Sequence, residues 1–89
     1  MEEAQAQAEA AHRAYLLHRA QQEEQDAPLA AMDLYLQVLQ QFPGSSEGEK
    51  AREMLLALAH RWEAQGRAYS ALQLLKRLRE ALEPGETSM

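Results

Sequence analysis

The stretch DAPLAAMDLYLQVLQQF, residues 26–42, decides the fold. On a helix that advances about 100° per residue, its apolar side chains cover roughly 220° of the circumference. These side chains are Leu29, Ala31, Met32, Leu34, Tyr35, Leu36, Val38, Leu39 and Phe42. One neighbouring helix is too narrow to cover so wide a face. We therefore predict a helix that lies between others, with helices before and after it in the chain.

The sequence before this stretch predicts a long first helix. From Glu2 to Gln25 nearly every residue favours helix, and neither glycine nor proline interrupts. Its Glu-, Gln- and Ala-rich beginning has little to bury, so we expect that end to project past the domain or to fray. Asp26 is predicted to cap the second helix, and Pro28 to lie in its first turn.

The sequence after the stretch predicts a third helix. Pro43 and Gly44 end the second helix, and Ser45 or Ser46 begins the third. Ser46 and Glu49 have the spacing of a capping box. The apolar residues that follow form a one-sided helical stripe: Ala51, Met54, Leu55, Leu58, Ala59 and Trp62.

A fourth helix completes the predicted fold. Gly66 closes the third helix, and the fourth runs from Arg67 or Ala68 to Leu82. Because the connections are short, successive helices should lie antiparallel.

The predicted architecture is a single all-α domain over residues 1–85. Eighty-nine residues allow one domain. Its four antiparallel helices form two stacked hairpins, residues 4–43 and 46–83, and residues 86–89 form a flexible tail.

Composition limits the classes of site and partner. The chain has no cysteine, which removes disulfides and thiolate metal sites. It has no long apolar run, and its acidic start is unlike a signal peptide, so we expect no direct membrane insertion. The missing signal favours the cytoplasm, whereas an excised domain could equally come from the periplasm.

The net charge of -5 is unevenly distributed. Up to Ser45 two arginines face seven acidic residues, whereas seven basic residues balance seven acidic ones from Ser46 onward. This balance disfavours nucleic acid as a partner. The acidic half is interpreted as a solvated surface, with a docking surface for a basic partner as the alternative.

A shift of 40 residues superimposes the two predicted hairpins. The shift pairs Ala11 with Ala51, Tyr15 with Leu55, Leu16 with Leu56, Ala31 with Ala71, Met32 with Leu72, Leu34 with Leu74, Tyr35 with Leu75, Val38 with Leu78 and Phe42 with Leu82. It also aligns the turn at Asp26 with the turn at Gly66. Because the turns match as well as the apolar positions, we interpret the hairpins as two copies of one repeat.

These residues resemble tetratricopeptide repeats. The pattern A-x-x-x-Y-x-x-V-L-x-x-F-P, formed here by Ala31, Tyr35, Val38, Leu39, Phe42 and Pro43, looks like the second helix and closing proline of such a repeat. The second copy has Ala59 and Trp62 on its first helix, Gly66 at the turn and Ala71 on its second helix, at the spacings that the family uses for close helix packing. The F-P-G-S-S followed by a long helix is similar to the long-period subgroup of bacterial envelope-associated repeat proteins. The resemblance covers roughly residues 6 to 85 and implies a fragment of an α-solenoid that binds proteins.

The sequence contains no catalytic constellation. Glu9 and His12 form a Glu-x-x-His pair, but a di-iron site needs a second such pair and two more glutamates. His60 and Glu63, one turn apart, are interpreted as a surface pair. We therefore predict no enzyme activity, no catalytic residues, no metal and no cofactor.

Two function classes remain. In the first, the protein is an interaction or scaffold module for a protein or peptide. The family resemblance then places partner-binding residues on the first and third helices: Arg13, Leu16, Ala20, Glu23, Glu53, Leu56, His60 and Glu63.

In the second class, the protein is a structural subunit or homo-oligomer. The apolar arc of the fourth helix is about 180° wide, more than one hairpin partner covers. A homodimer through the second and fourth helices would bury the surplus, with Tyr69, Leu72 and Leu74 in the interface. A partner protein in the same place is the alternative.

Overall fold

The computed structural model describes residues 2–83, which form four α-helices. They are α1 (Glu2–Glu23), α2 (Pro28–Gln41), α3 (Ser46–Ala64) and α4 (Ala68–Leu82), and these residues contain no strand. The predicted all-α class and the four helices are confirmed. The predicted tail, residues 86–89, lies outside the described residues.

Helix α2 lies at the centre of the packing, as its wide apolar face predicts. It contacts α1, α3 and α4, while α3 also contacts α4 and α1. Six of its side chains are buried: Ala31, Met32, Tyr35, Leu36, Val38 and Leu39. Removing such a side chain from water stabilises the fold by about 1.5–3 kcal/mol for a residue of leucine size.

The other helices complete one core. The residues they contribute are Leu16 and Ala20 from α1, Ala51, Leu55, Leu58, Ala59 and Trp62 from α3, and Ala71, Leu74 and Leu78 from α4. The stripe predicted for α3 is therefore the buried face of that helix, apart from the half-buried Met54.

Glycine conformations form two of the three turns. Gly44 and Gly66 have φ of 85° and 81°, where a side chain is strained. At the end of α3 the N–H of Gly66 donates to the carbonyl of Glu63 at 3.0 Å, and the N–H of Arg67 donates to that of Trp62 at 2.8 Å. This is a Schellman motif, which satisfies the last carbonyls of the helix.

The predicted cap of α2 is wrong, whereas the cap of α3 is the first of its two predicted candidates. The position before α2 is occupied by Ala27 with no side-chain cap, so Asp26 does not cap the helix, although Pro28 does begin it. Helix α3 is capped by Ser45, whose Oγ accepts from the N–H of Gly48 at 2.9 Å. The predicted capping box from Ser46 is therefore shifted by one residue and lacks its glutamate.

Helix α1 buries little of its first half. Residues 4–9 are all exposed, which confirms the expectation that this end has little to pack. The helix ends at Glu23 rather than at Gln25.

Candidate functional site

The face of α1 predicted to bind a partner is covered by α3. The Nε of Arg13 donates to Oε1 of Glu47 at 3.0 Å, and an Nη of Arg61 donates to Oε1 of Glu24 at 3.5 Å. Arg13 and Glu24 are about three helical turns apart, so they lie on the same side of α1. Both of their partners are on α3, so this side of α1 faces α3.

The prediction that Leu16 and Ala20 bind a partner is wrong, because both side chains are buried. Their exposed fractions are 7% and 0%, so they belong to the core and present no surface to another molecule. Glu23 is on the surface, where it accepts from Arg19 at 3.4 Å.

The predicted residues on α3 lie together and are exposed. Glu53, Leu56, His60 and Glu63 all face solvent. The last three line a shallow depression of about 40 Å³ together with residues Ala59 and Leu75. The Nδ1 of His60 lies 3.9 Å from Oε1 of Glu63, and both side chains are mostly exposed. These two residues therefore form the predicted surface pair.

On α4 two of the three predicted interface residues are exposed. Tyr69 and Leu72 are 75% and 61% exposed, whereas Leu74 is 0% exposed. The prediction for Leu74 is wrong because its side chain points into the core. Its neighbour Leu75, about 100° further round the helix, is half-buried at the surface instead.

A second depression lies on α4. It has a volume of about 510 Å³ and is lined by Leu72, Gln73, Leu75, Lys76 and Arg79. Leu75 lines both depressions, so they form one continuous surface. We call this surface the open face and define it by Leu56, His60, Leu72, Leu75, Lys76 and Arg79.

The open face combines leucines with basic groups. Leu56 and Leu72 are exposed, and Lys76 and Arg79 lie beside them on α4. The Nε of Arg79 also donates to Oε2 of Glu83 at 3.4 Å, an exposed contact that is worth little. The surface can therefore contact apolar and acidic groups at once.

The 40-residue correspondence explains where this face lies. Its six residues correspond to Leu16, Ala20, Met32, Tyr35, Leu36 and Leu39, and all six of those are buried. Sequence reasoning missed Leu75, Lys76 and Arg79. The 40-residue correspondence contains a signal for them, because these residues correspond to a buried face of α2 but have no following helix in the described chain to cover them.

A third depression, separate from the open face, lies beside the α1–α2 and α3–α4 turns. It has a volume of about 460 Å³, and its lining includes Glu24, Arg61, Trp62 and Arg67. Glu24 also accepts a hydrogen bond from the hydroxyl of Tyr35, whose pKa is raised by burial and by this carboxylate. The guanidinium of Arg67 lies 5.2 Å from the centre of the Trp62 ring. The charged groups named here are thus engaged with other parts of the fold.

The Glu-x-x-His pair is not part of a ligand cluster. His12 packs edge-on against the ring of Phe42 with 6.0 Å between ring centres, and the Arg13 guanidinium lies 5.6 Å from the same ring. Within residues 2–83 no three His, Cys, Asp or Glu side chains are grouped so that they could hold a metal ion. None of the helices in this part of the chain combines the length and apolar character needed to cross a membrane.

Comparison with protein-family models, with curated proteins and with solved structures found no match for this chain. The surfaces of the four helices are therefore the basis for assigning a function.

Proposed function

We propose that the protein is a non-enzymatic interaction or scaffold module that binds a protein partner through the open face of α3 and α4. The observation that carries the proposal is Leu72, which is 61% exposed in the depression on α4, beside Leu75, which also lines the depression on α3. Contiguous exposed apolar surface with a polar rim is typical of protein-binding sites.

The proposed architecture is two stacked hairpins similar to tetratricopeptide repeats. Along α1, Arg13 and Glu24 pair with Glu47 and Arg61, which follow each other in the same order along α3. This order is expected if α1 and α3 run parallel, as corresponding helices of two repeats do. The contact of α2 with α4, and a smallest molecular dimension of 16 Å, are as expected for two layers of packed helices.

A matched pair of substitutions tests the binding face. Leu72 and Leu29 are 61% and 58% exposed, so either can become glutamate without disturbing the core. We expect Leu72→Glu to remove a partner that the wild-type protein captures from its source cells, while Leu29→Glu retains it. Mass spectrometry of the captured proteins, compared among the three forms, gives the result. A partner retained equally by all three forms contradicts the proposal.

A homo-oligomeric structural subunit is the second candidate. The exposed Tyr69, Leu72 and Leu82 of α4 favour it, because their burial in a second copy would stabilise a dimer. The predicted contribution of α2 is corrected, since most of the apolar residues of that helix are already buried within the chain. Such a dimer would therefore form through α4 and the neighbouring surface of α3.

A further inference from the structure

We infer that the partner of the open face is an amphipathic helix with acidic flanks, which lies across α3 and α4 as α3 lies across α1 and α2. This inference rests on the proposed function and names the chemistry of its partner.

Helices α1 and α2 show how the corresponding surface is covered in the first half of the chain, and they serve as the template for the open face. Helix α3 contacts both α1 and α2, and its buried face is the stripe Ala51, Leu55, Leu58, Ala59 and Trp62. The residues of α1 and α2 that correspond to the open face are buried, and α4 also contacts α2. Packed helices therefore cover this surface in the first half of the chain, and α3, which contacts both α1 and α2 with a narrow apolar stripe, is the model for a docked helix.

Three positions of the open face keep the apolar character of the template. Leu56 corresponds to Leu16, Leu72 to Met32 and Leu75 to Tyr35. A helix docked on the open face can therefore bury its own stripe against these three leucines.

The other three positions have changed to basic or titratable residues. His60 corresponds to Ala20, Lys76 to Leu36 and Arg79 to Leu39. A docked helix without acidic groups would cover Lys76 and Arg79 and leave them without partners, which is costly. Carboxylates beside the apolar stripe of the partner would pair with these cations.

The same charges disfavour a second copy as the occupant. In a two-fold contact through the open face, Lys76 and Arg79 of each copy would approach the same cations of the other. The basic character is local. Lys76 and Arg79 line the depression on α4, and the acidic groups near this face, Glu63 and Glu83, lie beside His60 and Arg79, whereas the whole chain carries -5. At physiological salt, charges more than about 8 Å away are screened, so the local charges select the partner.

Two synthetic peptides with the α3 sequence, Ser46–Ala64, test the inference against the full chain. Both keep the apolar stripe. The acidic peptide carries Lys50→Gln, Arg52→Gln and Arg61→Gln, and the basic peptide carries Glu47→Gln, Glu49→Gln, Glu53→Gln and Glu63→Gln. Circular dichroism compares the helix content of the peptides, and fluorescence anisotropy of labelled peptide measures each Kd at low and at high salt.

We expect the acidic peptide to bind at least tenfold more tightly at low salt, with a smaller ratio at high salt. Because the net charge of the chain favours the basic peptide, non-specific attraction gives the opposite order. Equal affinities, a preference for the basic peptide, or no binding of the acidic peptide at millimolar concentration overturns the inference.

Charge reversal on α4 tests whether the preference for the acidic peptide arises at the open face. The double change Lys76→Glu with Arg79→Glu should make the protein prefer the basic peptide. Arg77→Glu, the same change about 140° from Leu72 on the helix, should leave the preference for the acidic peptide intact. Arg77 contacts Asp33 of α2 at 3.2 Å, away from the open face. A preference that survives the double reversal overturns the inference.

The remaining outcomes separate this inference from the proposed function. If both peptides bind equally and Leu72→Glu abolishes both, the face binds helices without charge selection and only the inference fails. If neither peptide binds but Leu72→Glu still loses the cellular partner, the inference again fails alone. If Leu72→Glu changes neither peptide binding nor the captured partner, the proposed function fails with it.

Discussion

Position 48, in the first turn of α3, must be glycine because there is no room for a side chain. A Cβ at this position would collide with the carbonyl oxygen of Phe42, a backbone atom that cannot move aside like a flexible side chain. The same turn is fixed by Ser45, which accepts from the N–H of Gly48 and donates to the carbonyl of Phe42. One added methyl group would therefore disturb both the cap and the end of α2.

We expect Gly48→Ala to destabilise the protein by about 1–2 kcal/mol. Overpacking costs roughly 1–3 kcal/mol, and a collision with a backbone atom belongs to the upper part of that range, about 2–3 kcal/mol, of which the better helix propensity of alanine returns about 1 kcal/mol. Urea unfolding followed by circular dichroism measures the change. Ala57→Gly, at an exposed position of the same helix, is a control for propensity alone. A Gly48→Ala protein as stable as the wild type would contradict the steric argument.

Ala31 and Ala71 are the small residues at which α2 and α4 meet their neighbours. Both are buried, at 0% and 1% exposure, and the 40-residue shift aligns them. Replacing either by leucine should overpack the contact and cost about 1–3 kcal/mol. Ala30→Leu, exposed on α2, should change stability little. An unchanged melting temperature for Ala71→Leu would show that α4 turns a different side to the core.

At the scale of the elements, the contact between α1 and α3 depends on pH. The backbone N–H of Glu47 itself and then the guanidinium of Arg13 lower the pKa of the Glu47 carboxyl. A carboxylate with a lowered pKa stabilises the fold above its unfolded pKa of about 4.3, and that stabilisation is lost as the pH falls through its folded pKa.

We therefore expect Glu47→Gln to weaken the fold at pH 7 and to have a shrinking effect in acid. The pair is partly exposed, so the loss at neutral pH should stay below about 1 kcal/mol. Thermal unfolding of both forms between pH 7 and pH 3 gives the comparison. Glu53→Gln, on the exposed side of the same helix, is the control. A loss that is the same at every pH would contradict an ionic role for Glu47.

The elements also show what a sequence can and cannot determine. Apolar spacing predicted all four helices and the central place of α2, because burial of an apolar stripe is a property of the helix itself. Asp26 lies one residue before the true N-cap position of α2, Ala27. The choice between Ser45 and Ser46 stayed open, since the adjacent serines are chemically equal and geometry alone chooses between them. Leu74 was misplaced for the same reason, because one step along α4 turns a side chain by about 100°.

The candidate site was predicted only in part for a different reason. The α3 residues and Leu72 were found at the surface, but Leu16 and Ala20 of α1 were not. That side of α1 becomes core through its packing with other helices, and no periodicity within α1 contains that information. The pairing of Arg13 with Glu47 becomes visible only in three dimensions.

At the scale of the whole molecule, salt dependence distinguishes a module from a self-assembling subunit. If the open face takes an acidic partner, the protein should elute as a 10.0 kDa monomer at low ionic strength. Any self-association should increase with salt, because salt screens the repulsion of Lys76 and Arg79 between copies. Size exclusion with light scattering at micromolar concentration measures the mass. A stable dimer at low salt would favour the structural subunit instead.

Trp62 is the only tryptophan of the chain, and it is 2% exposed beneath the guanidinium of Arg67. Its fluorescence is therefore a built-in reporter, with blue-shifted emission in the folded protein and a red shift when unfolding brings water to the indole ring. The ring borders the cleft at the turns and does not line the open face. Emission that stays constant while a labelled helix binds, with phenylalanine in place of the peptide's own tryptophan, would distinguish docking from unfolding in a single cuvette.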